Sequence, residues 1–392
     1  MSLLQDITVV ALEQAVAAPL TSRHLADWGA RVIKVERPGC GDFARGYDKT
    51  VKGLSSHFVW LNRSKQSLTL DMKTDGGRKV FSRLLGKADV FIQNLAPGAV
   101  DRLGFGTDRV HAAHPELIVC NISGYGDDGP YRDRKAYDLL VQAEAGLLSI
   151  TGTADTPSKP GISIADIAAG MYAYSGVLAA LLRRMQTGRG SIVDVSLFDA
   201  MAEWMSYPAY FTGYGGAAPM RSGAHHATIA PYGPVTTADG RTVVIGLQNE
   251  REWVRFCGTV LQRPELIDDA RFRGNHARIE HRAALEKCMR TVLDAVDSHE
   301  LIRRLEEAKI AYGHMNNMQE LFEHPQLSER NRWQEIGSPA GPLRVVLPPV
   351  QIEGETVQME AIPDVGEHTT KILQSLGYSQ DEIKRFEDLG VV

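Results

Sequence analysis

The stretch Lys159-Pro-Gly-Ile-Ser-Ile-Ala-Asp166 brings a carboxylate to the entrance of a run, Ile167 to Leu182, in which every residue is apolar or small. A helix with no polar face is either buried all round or lies in a membrane. This one is short for a span and runs into Arg183 and Arg184, so a core helix is expected. An acid at its entrance has two uses. It can cap free N–H groups of the first turn, a place where the helix dipole favours an ionised carboxylate. Alternatively it is a nucleophile or base at the mouth of a dry helix, beside a Pro160-Gly161 loop that leaves room for a ligand. Spacing alone leaves both open.

The remaining chemistry-bearing residues are more dispersed. Arg37, Lys73, Arg102 and Lys135 stand at expected strand or loop ends, where together they would receive a phosphorylated ligand by charge-assisted contacts. The Gly124–Pro130 loop follows an expected strand, the end at which open α/β sheets bind ligands. Gly39-Cys-Gly-Asp-Phe-Ala44 matches a dinucleotide fingerprint only nominally, because it does not open a clear helix. The first strand–helix turn, Glu13 to Pro19, has no glycine, so NAD or FAD is not expected. His111 and His114 share a spacing but no third ligand is in view, and no metal is expected.

Positioning these residues requires alternating strands and helices. Thr8–Leu12 is a short apolar run, Ala17–Trp28 looks helical and Arg31–Glu36 reads as a strand. The alternation continues through Ser67–Asp71, Gly76–Leu85, Asp89–Asn94, Leu117–Ser123, Ser191–Val195 and Leu197–Met205. Such alternation implies an α/β fold with a mostly parallel sheet. Gly213–His226 reads as a linker into a smaller α+β region with a hairpin at Asp239-Gly240 and helical patterns from Glu250, Ala283 and His299. Ser379-Gln-Asp-Glu382 is a capping box opening a last helix that stops near Gly390. Hydrophobic residues are 43% and charged residues 23% of 392, with a net charge of -5. That composition suits a globular enzyme and argues against a nucleic-acid partner. Four scattered cysteines and an N-terminus lacking a basic and apolar leader suggest a cytoplasmic protein.

Ordered blocks of the chain resemble the family III CoA-transferases, the group of formyl-CoA transferase, crotonobetaine/carnitine CoA-transferase and α-methylacyl-CoA racemase. The blocks are Val32–Asp42, Leu68–Lys73, Asn94–Gly104, Tyr137–Ala143, Thr187–Gly190 and Gly366–Thr369 with Leu376–Ser379. The resemblance implies a large Rossmann-like, CoA-binding domain from 1–212 and 336–392, a small domain at 213–335, and an interlinked-ring homodimer. It places the catalytic aspartate at Asp166 and CoA contacts at Arg37, Lys73, Asn94, Arg102 and Lys135. It implies covalent aspartyl intermediates between an acyl-CoA and a carboxylic acid, with CoA as cosubstrate and neither metal nor membrane.

Two departures narrow the reading. The racemases place a histidine base where Tyr137 stands, and a phenol of pKa about 10 is a poor neutral-pH base. The polyglycine loop of formyl-CoA transferases is replaced by Gly246–Glu252. A small dicarboxylic acyl-CoA such as succinyl-CoA is therefore expected, with Arg45, Arg221 or His226 as candidates to meet a second carboxylate and Tyr137 as a further substrate contact. The alternatives are an acyl-CoA racemase or isomerase, and a CoA-binding protein without turnover in which Asp166 is only a cap.

Overall fold

The computed structural model describes residues 2–392. The chain divides into two compact units, one from Met1–Ala145, Pro160–Ser206 and Leu327–Val392, the other from Gly146–Lys159 and Tyr207–Gln326. The second unit thus spans Gly146–Lys159 and Tyr207–Gln326 rather than 213–335.

In the first unit β1 (Thr8–Leu12), β2 (Arg31–Glu36), β3 (Lys65–Thr69), β4 (Val90–Gln93), β5 (Ile118–Ser123) and β6 (Ile192–Ser196) form one sheet, ordered β3-β2-β1-β4-β5-β6. Every pairing is parallel, with Val10 opposite Ile33 on one side and Phe91 on the other. Central strands of a parallel sheet are covered on both faces, which is why β1 and β4 read as unbroken apolar runs rather than alternating ones. The order reverses between β1 and β4, and the C-terminal ends of strands at such a switch point are where open α/β sheets bind ligands. The C-terminal segment returns to this unit: the Gly366 amide donates to Ser67 Oγ (2.8 Å), and Thr69 N–H to Thr369 Oγ1 (3.0 Å). Ile372, Leu373 and Ile383 join the core around Phe81 and Phe91. The Ser379–Glu382 capping box forms, and Gly390 follows it at φ +65°.

Four helices matter for the site: α1 (Ala17–Asp27), α2 (Asp75–Leu85), α3 (Asp138–Glu144) and α4 (Ile164–Thr187). The 24-residue α4 packs against α1, α3 and strands β5 and β6. Its small residues permit close approach: a Cβ on Gly170 would lie 2.8 Å from the Ala17 carbonyl, and one on Gly176 would lie 2.7 Å from Val193. Thr21 Oγ1 donates to the Gly170 carbonyl at 3.0 Å, locking the crossing. Burial on every side, as expected from the apolar run, is not what the chain provides. Met171, Tyr172, Ser175, Leu182 and Met185 fall on one exposed stripe, with Met185 84% exposed. An apolar composition records surface that favours being covered; it does not say that the chain's own packing covers it.

The second unit carries an antiparallel sheet, β7 (Tyr232–Thr236), β8 (Thr242–Gly246) and β9 (Ala311–His314). Pro234 sits in β7, an edge strand, where the missing N–H costs no central ladder bond. Helices Arg282–Leu293 and Ser298–Glu307 cover a core of Val243, Ile245, Trp253, Phe256, Leu285 and Leu301. The stretch expected to be a linker from Gly213 to His226 is more ordered than that. Helix Ser206–Gly215 enters it, and Arg221 donates to the carbonyls of Ser149, Thr153 and Ala154. Glycine-rich composition made that stretch look unattached, whereas side chains at its far end anchor it.

Candidate active site

The Asp166 carboxylate lies in the first turn of α4, half-buried. It does not cap the helix. Asp138, the first residue of α3, does so from a distance in sequence: its Oδ1 accepts the amides of Ala165 (2.8 Å) and Asp166 (3.3 Å). Its Oδ2 accepts from Gln142 Nε2 at 2.6 Å. The helix N-terminus, which would otherwise reward a charge on Asp166, is thereby occupied by another carboxylate. Among the described residues no hydrogen bond reaches the Asp166 side chain. Burial, and then the neighbouring Asp138 charge, push its carboxyl up to about 7. The expectation of an Asp166 held ionised by the helix end is therefore corrected. What the sequence could not reveal was a second acid, 28 residues away, taking the capping place.

Around this carboxylate stand two tyrosines. Tyr137, 68% exposed, immediately precedes α3. Tyr47 follows the short turn Phe43–Gly46; burial raises its phenol to about 12, with the charges of Asp42 and Asp166 adding to the effect. Gln142 is fully buried, and its Oε1 has no partner among the described residues.

The turn after β1 approaches from the other side. Ala15 adopts φ +63°, a left-handed conformation that a residue with a Cβ holds only when its surroundings impose it, at a cost of about 1–3 kcal/mol. Three groups impose it here. Gln14 N–H donates to Asn94 Oδ1 and Asn94 Nδ2 returns a bond to the Gln14 carbonyl, both at 2.9 Å. Ala15 N–H donates to Asp42 Oδ1 at 3.2 Å. Ala15 and Ile167 of α4 both pack on the small cluster of Val16, Leu20 and Leu61. The turn thus sits against the first turn of the helix that carries Asp166.

Behind it lies a buried ionic cluster that sequence reasoning missed. Glu13 Oε1 accepts from Lys65 Nζ (2.7 Å) and Lys34 Nζ (3.2 Å), and its Oε2 from Ser22 Oγ (2.6 Å). Lys34 also reaches Asp42 Oδ2 at 2.8 Å. All four ionisable side chains are fully buried. Burial alone would raise the Glu13 carboxyl, but the two lysines outweigh it and hold it below its usual range. For Lys34, burial is overcome by Glu13, Asp42 and Glu36, so its ammonium is stabilised. Burial brings Lys65, which faces one carboxylate and the repulsion of Lys34, down to about 7. The available signal was Lys34 itself, a lysine inside the otherwise apolar strand Val32–Val35.

The other expected site residues are placed as follows. Arg37, Lys73 and Asn94 follow the C-terminal ends of β2, β3 and β4, so they line one edge of the sheet. Arg37, Lys73, Arg102 and Lys135 are exposed, and among the described residues none forms an ion pair. Lys135 lines an open depression of about 610 Å³ with Tyr125, Arg134, Leu140, Ala143 and Glu144. Asn94 is engaged with the Gln14 backbone, as above. Arg45 is committed to Glu36, with Nε to Oε1 at 2.9 Å and Nη2 to Oε2 at 2.8 Å, and its guanidinium lies over the Phe58 ring at 3.7 Å. Arg221 and His226 belong to the second unit, where Arg221 holds carbonyls and His226 stacks on Tyr232 with ring centroids 5.2 Å apart.

The family model described as CoA-transferase family III matches residues 4–369. Human succinyl-CoA:glutarate CoA-transferase is 32% identical across 99% of this chain and 90% of its own length. Acetyl-CoA:oxalate CoA-transferase of Acetobacter aceti is 33% identical over 86% of this chain and 88% of its own. The crystal structure of a CAIB/BAIF family protein from Brucella suis superposes with a TM-score of 0.85 at 32% identity, covering 96% of this chain and 99% of that one. A family model matched over residues 4–369, with relatives above 30% identity along almost the whole sequence, identifies this chain as an enzyme of CoA-transferase family III.

Proposed function

We propose that the protein moves CoA from a small dicarboxylic acyl-CoA, such as succinyl-CoA, to a carboxylic acid, with Asp166 as covalent nucleophile. The observation that carries this is the Asp166 carboxylate left without a hydrogen-bond partner among the described residues while Asp138 caps its helix. A side chain kept only as a cap would be making those bonds itself. Relatives that act on succinyl-CoA, such as succinyl-CoA–D-citramalate CoA-transferase of Chloroflexus aurantiacus (31% identical over 99% of this chain), support the dicarboxylic donor.

In this mechanism an Asp166 oxygen attacks the thioester carbonyl, the C–S bond breaks, and CoA leaves as the thiolate, giving a mixed anhydride. The thiolate then attacks the aspartyl carbonyl carbon, expelling the donor acid and leaving an aspartyl-CoA thioester. The acceptor carboxylate attacks that thioester, releasing the thiolate once more. The thiolate attacks the acceptor's acyl carbon, forming the new acyl-CoA and restoring the Asp166 carboxylate. Each intermediate is prone to hydrolysis, so the carboxylate must work away from water, at the desolvation cost visible in its raised pKa. The exposed cations Arg37, Lys73, Arg102 and Lys135 are the proposed contacts for CoA phosphates, and the first unit is the proposed CoA-binding domain. The apolar stripe Met171–Met185 is a surface that the expected homodimer would cover.

The test is to mix enzyme with succinyl-CoA, add hydroxylamine or borohydride as a trap, digest, and weigh the peptide containing position 166. A mass change confined to that peptide is expected, together with new CoA esters when a panel of carboxylic acids is supplied. An unmodified peptide under conditions of continuing turnover refutes the nucleophile. Exchange of an α-hydrogen with deuterated solvent in the absence of acceptor acid would favour a racemase instead.

A further inference from the structure

Glu13, Lys34, Lys65 and Asp42 touch no position where substrate is proposed to react, yet their side chains are fully enclosed in the first unit. Removing four ionisable groups from water is costly, and hydrophobic side chains of similar size often serve stability equally well. Stability alone is therefore a weak account of them. Their connections suggest another. Asp42 is the outlet of the cluster: Oδ2 is held by Lys34, while Oδ1 accepts two amides, Ala15 N–H at 3.2 Å and Ala44 N–H at 2.9 Å. Its own N–H is tied to Glu36 Oε1 at 2.9 Å. The first amide belongs to the left-handed turn that packs with Ile167 against α4. The second opens the short turn Phe43–Gly46 that ends at Tyr47, whose phenol feels the Asp166 charge. One oxygen therefore fixes two segments that flank the same carboxylate.

We infer that Asp42, backed by Lys34, Glu13 and Lys65, is a positioning residue for the transfer reaction, holding the Gln14–Ala15 turn and the Tyr47 turn in register around Asp166. This rests on the proposed function only for its kinetic consequence. Lys34 orients the Asp42 carboxylate, Glu13 and Lys65 orient Lys34, and a two-amide grip by one oxygen leaves neither segment free to drift from the reacting atoms.

The test compares two double variants that both remove the Lys34–Asp42 charge pair. Lys34→Met/Asp42→Asn keeps an oxygen acceptor for the two amides; Lys34→Met/Asp42→Leu removes it. Where leucine does not yield folded protein, Lys34→Met/Asp42→Ala makes the same comparison. With succinyl-CoA and an accepted acid, the leucine variant is expected to lose at least about tenfold in kcat, with KM for the acyl-CoA within about twofold. The asparagine variant should keep at least about a third of the parent kcat. Peptide-level hydrogen exchange should show the segments around residues 15 and 44 opening in the leucine variant and protected in the asparagine one. Equal kcat in parent and leucine variant, or equal loss in both variants, overturns the proposal. If the parent itself transfers no CoA, the functional reading fails, and exchange decides the clamp: unchanged protection in the leucine variant then refutes it.

Discussion

Two groups of carboxylates stand at the C-terminal side of the same parallel sheet and have opposite fates. Glu13 and Asp42 are enclosed, and each has lysine and hydrogen-bond donors on its oxygens; Glu13 is held below the ordinary carboxylate range. Asp166 is less buried than either, yet is pushed up to about 7, by burial first and then by the Asp138 charge, with no donor among the described residues to offset them. Burial alone does not separate them. The difference is whether the fold supplies a cation and N–H groups when it removes water. A charge that the fold satisfies becomes scaffold; one that it desolvates and leaves unsatisfied is free to bond to something else.

The sharpest way to break that contrast is substitution on the unsatisfied side. Asp166→Asn should lower CoA transfer at least about 10³-fold in a steady-state assay of CoA esters, while leaving the fold intact. Because its folded pKa is raised, ionising Asp166 opposes folding, and that cost grows as pH rises from the unfolded pKa toward about 7 and levels off above it. Asp166→Asn should consequently raise the melting temperature, more at pH 8 than at pH 5. A lower melting temperature at pH 8 contradicts the assignment.

On the satisfied side the response should be the reverse. Glu13→Gln leaves Lys34 with Asp42 as its one bonded carboxylate and drives Lys65 further toward its neutral form, and should cost about 3–5 kcal/mol in urea denaturation at pH 7. A cost below about 1 kcal/mol would show that the cluster is not paired in solution. A smaller effect tests the coupling between the two acids. Asp138→Asn keeps an oxygen for the Ala165 and Asp166 amides but removes the like charge, so the acid limb of the kcat/KM profile should move from near pH 7 downward by about one pH unit. Since burial is the larger cause, the limb should stay above the ordinary aspartate range; no movement would refute the Asp138 charge as a cause of the Asp166 shift. Smallest of all, Lys73→Ala and Arg37→Ala should each raise KM for acyl-CoA about two- to fivefold with kcat unchanged, as expected for single exposed charges. Loss of kcat instead would move those residues toward the reacting atoms.

Much of this architecture was legible before any coordinates. The six parallel strands and the hairpin strands fell where the patterns predicted them, with ends displaced by one or two residues, because Val/Ile/Leu-rich stretches are what doubly covered strands require. β9 and the antiparallel pair Trp333–Ile336 and Leu343–Val346 were not anticipated. Asp166 could be singled out from local pattern and from the family resemblance. Asp138 could not be assigned the cap, since capping is normally read from neighbours in sequence and its acceptor bridges 28 residues. The cluster beneath the Ala15 turn was hidden for the same reason: Glu13, Lys34, Asp42 and Lys65 look like ordinary charges until three adjacent strands bring them together.

By itself the sequence determined the local elements: helices from apolar spacing and caps, the hairpin from Asp239-Gly240, and the family from ordered blocks. These depend on residues within a few positions of one another, or on short motifs that survive divergence. The strand order, the face of α4 left uncovered, the identity of the acid that caps it, and the protonation of Asp166 were decided only by tertiary structure. Each depends on what else is packed within a few ångströms, and desolvation and Coulomb interactions act through space rather than along the chain.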